Sequence, residues 1–196
     1  MEYINEEFKL ITDYENYSIS SYGRVRNDTT GLILKAGNDG HGYNYVVLYN
    51  DNNKKKMTVH KLVANAFIDN PDNKPCIDHI DNDKLNNKVT NLRYATHIEN
   101  NQNRSMRKDN TSGIKGVTFI KRYNKWQAQI KINGKNIYLG SFDNKDEAIK
   151  ARLIKSMEIH GKFINQCEII ELKRIELNQE LNELELLEKE FQELIK

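Results

Sequence analysis

The sequence predicts an α+β protein made of small antiparallel sheets, with an amphipathic helix at its C-terminal end. Apolar residues alternate with polar ones over 43–49 and 125–132, which is typical of strands. Asn133-Gly134 is a strong signal for a two-residue hairpin turn. Residues 168–196 contain neither glycine nor proline, which favours one uninterrupted helix.

Charge divides the chain into a basic body and an acidic tail. The 196 residues carry a net charge of +2. Residues 168–196 hold nine acidic and four basic side chains, so residues 1–167 carry +7. A basic body concentrates polyanions by Coulomb attraction and counterion release. The charge therefore indicates either a nucleic-acid partner or a positive surface that is simply solvated.

Composition argues against a membrane protein. No apolar run approaches the ~18 residues that cross a bilayer. The charged stretch Met1–Lys9 lacks the apolar core of a secretory signal. Cys76 and Cys167 are too far apart for a zinc knuckle and are expected to be reduced thiols. We expect a cytoplasmic or host intracellular protein, nuclear in a eukaryotic host, without a membrane partner.

The central segment concentrates side chains that suit phosphodiester hydrolysis. Asp78 and His79 are adjacent, and Asn91 and Asn100 follow downstream. Histidine accepts a proton near neutral pH and can serve as the base. Aspartate and asparagine oxygens suit a hard cation such as magnesium or manganese. An asparagine carbonyl can also hold the second imidazole N–H and so orient the base.

The local pattern is able to gather these side chains. Residues 75–80 are typical of a strand, 81–84 of a turn-forming loop and 91–95 of the returning strand. Thr96 and Glu99 have capping-box spacing, so a helix is predicted to begin there. A hairpin followed by a crossing helix would bring the four polar residues together.

Several stretches of this segment match one family. They are 59–68, Asp78-His79-Ile80-Asp81, Asn91-Leu92-Arg93 and Glu99-Asn100. With them the segment resembles the HNH endonucleases of phages and mobile introns. The resemblance implies a ββα-metal core in which Asp78 and Asn100 bind one Mg²⁺ or Mn²⁺. It implies His79 as the general base, Asn91 as the residue that orients it, and products with 5′-phosphate and 3′-hydroxyl ends.

Other interpretations of these residues stay open. Each of the four alone also fits an ordinary surface or turn role, and it is their joint spacing that favours a site. His97 and Asn103 lie three residues from Asn100 on the same predicted helix and are rival metal ligands. His60 falls in an apolar helical run and is predicted to be structural.

Residues 111–165 predict a three-stranded antiparallel sheet followed by a helix. The predicted strands are 114–120, 125–132 and 136–140. On the middle strand the polar residues Gln127, Gln129 and Lys131 share one face. Asn144 is the predicted helix cap and Gly161 the predicted helix end.

The same stretch resembles the Apetala-two DNA-binding domain of plant transcription factors and homing nucleases. The matching stretches are Gly116-Val117, 126–130, 138–142, Glu147-Ala148 and His160-Gly161. In that family the sheet lies in the DNA major groove. The positions that match its DNA-facing residues are Lys115, Thr118, Gln129, Lys131, Asn136 and Tyr138. The alternative is a polar sheet face that is only solvated.

The N-terminal segment carries a third resemblance. Phe8-Lys9, 14–20 and 23–26 resemble the type-four nuclease-associated DNA-binding motif, although that family usually has tryptophan where this chain has Phe8. Arg24 and Arg26 occupy alternate strand positions and are predicted to contact phosphate.

The linker between the central segment and the sheet is basic. It contains Arg104, Arg107 and Lys108. These side chains suit contacts with the minor groove or the DNA backbone. The alternative is an exposed connector.

The C-terminal helix carries an apolar stripe. Ile170, Leu177, Leu184 and Phe191 recur every seven residues on an otherwise charged helix. This period predicts either a short coiled coil that forms a homodimer or a helix packed on its own body.

Together the patterns predict five consecutive regions. They are an N-terminal DNA-binding motif at 1–56, an HNH core at 57–103, a basic linker at 104–110, an Apetala-two-like domain at 111–165 and a helix at 166–196. The leading hypothesis is a homing-type endonuclease that acts on double-stranded DNA. The main alternative is a non-catalytic DNA-binding regulator on a degenerate HNH scaffold. An RNA-directed module has little support, because no RNA-recognition motif is present.

Overall fold

The computed structural model describes residues 5–50, 53–105, 110 and 112–194. The chain divides into two compact units, Met1–Asn103 and Arg104–Lys196. Both units combine small antiparallel sheets with helices, so the α+β prediction is confirmed.

The first unit contains three small sheets. Its elements in chain order are β1 Phe8–Ile11, β2 Tyr14–Ser20, β3 Val25–Asn27, β4 Gly37–Asn38, β5 Asn44–Asn50, β6 Asn53–Thr58, α1 Val59–Phe67, β7 Cys76–His79, β8 Leu92–Ala95 and α2 His97–Asn103. The sheets are ordered β1-β2-β3, β4-β5-β6 and β7-β8, and all pairings are antiparallel.

One hydrophobic core holds these sheets together. Ile19 of β2, Leu48 of β5, Val63 of α1 and Leu92 of β8 are buried in the same cluster. Sheets of two or three strands bury too little apolar area to be stable alone. The segments 1–56 and 57–103, which the sequence predicts as separate regions, therefore form a single compact unit.

The hairpin and helix predicted around the polar constellation are present. Strands β7 and β8 pair with Asp78 opposite Arg93 and His79 opposite Leu92. At the start of α2 the Glu99 side chain accepts the Thr96 N–H at 2.6 Å, and Thr96 Oγ1 accepts the Glu99 N–H at 3.2 Å. This reciprocal pair is the predicted capping box, and it fixes where the helix begins beside the hairpin.

The second unit is one three-stranded sheet with two helices. Its elements are β9 Val117–Ile120, β10 Lys125–Ile132, β11 Lys135–Phe142, α3 Lys145–His160 and α4 Gln166–Leu194, and the sheet order is β11-β10-β9. The predicted hairpin turn is confirmed, because Asn133 and Gly134 have φ of 48° and 82° as a type I′ turn requires. The Asn144 side chain caps α3, and Gly161 ends it.

The long helix α4 belongs partly to this core. Its first half buries Leu172 and Ile175 against residues of the sheet and of α3. The heptad residues lie on another face and are exposed by 61–66% of their surface: Ile170, Leu177, Leu184 and Phe191. Packing of α4 against the sheet and α3 therefore accounts for the apolar residues in its first half and not for the heptad stripe.

No helix among the described residues is long and apolar enough to cross a bilayer.

Candidate active site

The site lies at the end of strand β7. Asp78 and His79 are consecutive, so their side chains leave the strand in opposite directions. Both are nearly inaccessible, with 3% and 6% of their surface exposed. Each side chain has its own set of buried partners.

His79 is held by an asparagine of the loop between β7 and β8. Its Nε2 lies 3.3 Å from Oδ1 of Asn87, which is itself buried. An amide oxygen can only accept, so Nε2 carries the proton and Nδ1 keeps its lone pair. Burial lowers the pKa of His79, although the hydrogen bond that it donates to Asn87 and the nearby Asp81 oppose that shift. The imidazole is therefore neutral at physiological pH and able to accept a proton at Nδ1.

Two aromatic rings flank the imidazole. The His60 ring packs edge-on against His79 with centroids 5.3 Å apart, and the Tyr43 ring lies 6.0 Å from His79. Burial, together with the neighbouring His79, lowers the pKa of His60 to about 4. His60 is thus neutral and adds no positive charge beside His79. Its position on α1 in the core agrees with the structural role predicted for it.

Asp78 faces the opposite way, toward Arg93 and helix α2. Arg93 donates to Oδ2 of Asp78 through Nε at 2.8 Å and pairs with it through Nη2 at 2.7 Å. Nδ2 of Asn103 lies 3.0 Å from Oδ1 and 3.1 Å from Oδ2. A buried carboxylate with such charged and polar partners is fixed in direction.

Asn103 clamps the end of the strand. Besides the Asp78 carboxylate, its Nδ2 lies 2.8 Å from the His79 carbonyl oxygen and 3.2 Å from that of Ile80. The Asn103 side chain has no exposed surface. It presents an amide nitrogen to Asp78, which is the orientation of a hydrogen-bond donor and not of a metal ligand.

Of Asn100 and Asn103, Asn100 is better placed to bind a metal ion that is reached from solvent. It lies one turn before Asn103 on α2 and is half-buried. Its backbone N–H donates to the Thr96 carbonyl oxygen, as expected in the first turn of the helix. The other rival ligand, His97, is exposed, and its Nδ1 contacts the Cys76 sulfur at 3.1 Å.

The Asn91 side chain hydrogen-bonds to the loop that follows His79 and not to the His79 ring. Its Oδ1 accepts the Asp81 N–H at 3.1 Å, and its Nδ2 donates to Asp81 Oδ1 and to the Asn86 carbonyl, both at 2.8 Å. Its own carbonyl accepts the Ile80 N–H at 2.9 Å. Asn91 therefore acts on His79 through the backbone, and Asn87 makes the direct contact that the sequence prediction gave to Asn91.

The donor set fits a hard divalent cation. Among the described residues no three His, Cys, Asp or Glu side chains cluster as a complete metal cage. Magnesium does not need one, since it keeps several waters and takes one or two carboxylates plus substrate phosphate. The carboxylate of Asp78, fixed in direction, and the side-chain amide of the half-buried Asn100 are oxygen donors of the kind that such a cation takes.

The sheet of the second unit gathers most of the predicted DNA-facing residues. Thr118 pairs with Gln127, Gln129 with Tyr138, and Lys131 with Asn136, so these side chains share the polar sheet face. Lys115 is the exception. Its Nζ lies 3.8 Å from the buried Glu168 carboxylate, which directs it away from that face.

The two arginines predicted in the N-terminal segment are already paired. Arg24 forms an ion pair with Glu6, and Arg26 binds Asp28 Oδ1 at 2.6 Å. The Arg26 guanidinium also lies 4.3 Å from the centre of the Phe8 ring.

The three basic residues predicted in the linker are placed differently. Arg104 is exposed. Arg107 and Lys108 lie outside the described residues.

Comparison with known proteins identifies two families in the first unit. Residues 6–49 match the NUMOD4 motif, and residues 59–102 match the HNH endonuclease family. The chain belongs to the HNH endonuclease family and carries a NUMOD4 motif at its N-terminal end. The family matches do not extend to the sheet of the second unit.

Viral proteins are among the relatives. An HNH endonuclease of Acanthamoeba polyphaga mimivirus is 36% identical over 142 residues, which are 72% of this chain and 39% of that protein. The DNA endonuclease I-HmuI of Bacillus phage SP01 is 35% identical over 102 residues, 52% of this chain and 59% of that protein. Protein 3.8 of Escherichia phage T7 is 36% identical over 89 residues, 44% of this chain and 71% of that protein.

A solved structure of the homing endonuclease I-HmuI with DNA also matches. It has a TM-score of 0.47 and 36% identity and covers 50% of this chain and 56% of that one.

Proposed function

We propose that this protein is a homing-type endonuclease that hydrolyses phosphodiesters of double-stranded DNA. The observation that carries the proposal is the pairing of two consecutive buried residues with separate partners. Asn87 holds the His79 imidazole, while Arg93 and Asn103 hold the Asp78 carboxylate. A base and an anchored acidic oxygen at one strand end are what metal-assisted hydrolysis needs.

His79 is the general base of the proposed reaction. With Nε2–H donated to Asn87, Nδ1 takes a proton from the attacking water as its oxygen approaches phosphorus. The neutral His60 neighbour leaves the imidazole free to accept that proton without repulsion from a second cation. Attack at phosphorus breaks the bond to the 3′ oxygen, which leaves with the bonding electrons and takes a proton from solvent, so the products have 5′-phosphate and 3′-hydroxyl ends.

Asp78 and Asn100 are the residues that would hold a divalent cation. A bound Mg²⁺ or Mn²⁺ supplies positive charge beside the scissile phosphate and the departing oxygen. Asn103 keeps the Asp78 carboxylate in one direction through two contacts of 3.0 and 3.1 Å. Because the Asp78 carboxylate is already held in one direction, binding of the cation would not have to restrict its motion.

Residues outside the HNH core would hold the DNA. The polar sheet face with Thr118, Gln129, Lys131, Asn136 and Tyr138 supplies hydrogen-bond donors and acceptors together with a positive charge. Its likeness to an Apetala-two domain supports a major-groove role. Arg24 and Arg26 would contact phosphate on exchanging their carboxylate partners for it, and Arg104 adds an exposed charge.

The second candidate is a non-catalytic DNA-binding regulator, and a nicking assay separates the two. Supercoiled plasmids that carry a random target library are incubated with the protein and Mg²⁺. We expect nicked or linear product with the wild type and none with His79→Ala, because general bases contribute about 10²–10⁴-fold. Binding of the library by His79→Ala, measured by gel shift, should match that of the wild type.

The matched control for this assay is His41→Ala. His41 is exposed, and it contacts the loop of the site only through its backbone carbonyl. Its cleavage should equal that of the wild type. Retained DNA binding without cleavage by any form of the protein would establish the regulator instead.

A further inference from the structure

The N-terminal motif reaches the catalytic histidine through one tight contact. Gly23 follows strand β2 in a turn with φ of 84°. A Cβ built on Gly23 would lie 2.9 Å from Cβ of Asn87, 3.1 Å from Val59 and 3.3 Å from the Asn87 carbonyl oxygen. Asn87 is the residue whose amide oxygen holds His79. The space that a side chain would need at position 23 is thus occupied by the partner of the general base.

Backbone bonds hold this turn against the loop of the site. The Gly23 N–H donates to the Ser20 carbonyl at 2.9 Å and closes the turn. The Val89 N–H donates to the Ser21 carbonyl at 2.8 Å, two residues after Asn87. The bond between Val89 and Ser21 therefore joins the turn to the Asn87 loop next to the close approach.

A second part of the N-terminal motif, the residues around Tyr43, also packs near the imidazole. Tyr43 lies between the His60 ring at 4.8 Å and the ammonium of Lys84 at 4.5 Å. Lys84, which belongs to the loop of the site, also donates to the His41 carbonyl at 2.9 Å. The N-terminal motif therefore meets His79 in two ways: Tyr43 lies 6.0 Å from its ring, and Gly23 packs against its partner Asn87.

We infer that the N-terminal motif contributes to the catalytic centre and does not serve only to bind DNA. Gly23 and Asn87 are positioning residues: the bare backbone of Gly23 lets Asn87 sit where its oxygen fixes the proton on Nε2 of His79. This inference rests on the proposed role of His79 as general base. It adds a requirement of the N-terminal motif for the chemical step, separate from any requirement for DNA binding.

The first test compares two glycines with the same backbone constraint. Gly23 and Gly31 have φ of 84° and 73°, but no atom lies within 4 Å of a Cβ built on Gly31. Alanine at either position carries the cost of a left-handed backbone, and only at 23 does it displace Asn87. We expect Gly23→Ala to lower kcat on plasmid DNA on the order of 10–100-fold with KM nearly unchanged. Gly31→Ala should keep the kcat of the wild type.

The second test changes the contact itself and does not depend on the folding of Gly23→Ala. Asn87→Ala removes the oxygen that holds His79 and should lower kcat with KM nearly unchanged. Asn87→Asp keeps an oxygen acceptor at that place and should recover part of the loss. Asn70→Ala is the control, because the Asn70 side chain hydrogen-bonds to the Lys74 backbone within its own loop of the same unit.

Combining Gly23→Ala with Asn87→Ala tests whether Gly23 acts on His79 through Asn87. In the Asn87→Ala background, Gly23→Ala should lower kcat little further, since its effect passes through the missing oxygen. Equal kcat for Gly23→Ala and Gly31→Ala, with folded protein in both cases, would overturn the inference. So would an effect confined to KM. If the wild type cuts DNA, His79→Ala does not, and the Asn87 variants cut normally, then the inference fails and the proposed function stands.

Discussion

The two compact units both bury polar side chains, but they treat them differently. In the first unit Asp78 is bound by Arg93 and Asn103. In the second unit Arg152 and Glu168 have 6% and 2% of their surface exposed. Within the described part of the chain, the charged groups Nε and Nη1 of Arg152 and Oε1 of Glu168 have no hydrogen-bond partner, whereas in the first unit the neutral groups Thr58 Oγ1 and His60 Nδ1 have none.

The difference separates two uses of buried polarity. A network whose members satisfy each other gives one rigid arrangement, which suits a site that must hold a base and a metal ligand. Buried charges at longer range, such as Lys115 and Glu168 at 3.8 Å, hold elements together at a net free energy near zero. We therefore expect the first unit to lose far more stability when a polar group is removed.

Removal of Arg93 should have the largest effect. Arg93→Ala leaves the Asp78 carboxylate buried without its counterion, and we expect the first unit to lose about 3–5 kcal/mol of unfolding free energy. Urea denaturation followed by circular dichroism measures it. The fluorescence of Trp126, the single tryptophan of the chain, reports the second unit and should not change. Lys155→Ala, which breaks the exposed pair with Glu158, should cost less than ~1 kcal/mol.

The two asparagines of helix α2 should separate stability from metal use. Asn103→Ala removes the donor shared by Asp78 and the His79 and Ile80 carbonyls, and should cost about 1–3 kcal/mol of unfolding free energy. Asn100→Ala should leave the melting temperature unchanged and raise the Mg²⁺ concentration required for half-maximal cleavage. The reverse pattern would make Asn103 the ligand and Asn100 the structural residue.

The pH dependence of stability should have opposite signs in the two units. The bond from Arg24 lowers the pKa of Glu6, so its stabilising contribution is lost as pH falls through the folded pKa. Burial raises the pKa of Glu168, so the second unit is most stable with this group protonated. Stability then falls as pH rises above its ordinary value of about 4.5.

Glu168→Gln tests that sign. The melting temperature of the second unit, read from Trp126 fluorescence, should rise relative to the wild type as pH increases from 4.5. Glu6→Gln should instead lose stability relative to the wild type as pH increases toward 4.5 and show a constant deficit above it, as seen by circular dichroism. If the difference in melting temperature between Glu168→Gln and the wild type does not change with pH, the buried Glu168 carboxylate is stabilised by its neighbours as well as by water.

Truncation after Glu176 should have the smallest effect on stability. It keeps Leu172 and Ile175 in the core and removes three of the four residues of the exposed stripe, Leu177, Leu184 and Phe191. The melting curve of Trp126 should therefore superimpose on that of the full chain. The coiled-coil homodimer stays a prediction, which light scattering of the two forms tests: equal monomer masses would eliminate it.

Local signals in the sequence were sufficient for the elements that frame the site. The Thr96–Glu99 capping box and the Asn133-Gly134 turn each depend on residues that contact one another within the same few positions. Strand alternation likewise identified the polar face around Gln129.

Contacts that depend on loop conformation could not be read in the same way. Asn87 contacts His79 because the chain turns at Asn82, with φ of 64°, before it returns to β8. Spacing alone does not distinguish Asn87 from Asn91, since both follow His79 within one hairpin. The one feature of the sequence that pointed to Asn87 as a partner of His79 was the Asn86-Asn87 pair in that loop. Lys115 turned inward because Glu168, more than fifty positions away, is buried beside it.

The shared core of the first unit bears on how such nucleases exchange parts. Ile19 and Leu48 from the N-terminal motif pack with Val63 and Leu92 from the HNH segment. A gene fusion that joins this HNH segment to a foreign targeting module would leave these apolar surfaces without their counterparts. Recombination should therefore transmit the two motifs as one heritable block, with new target preference acquired at the boundary near residue 104.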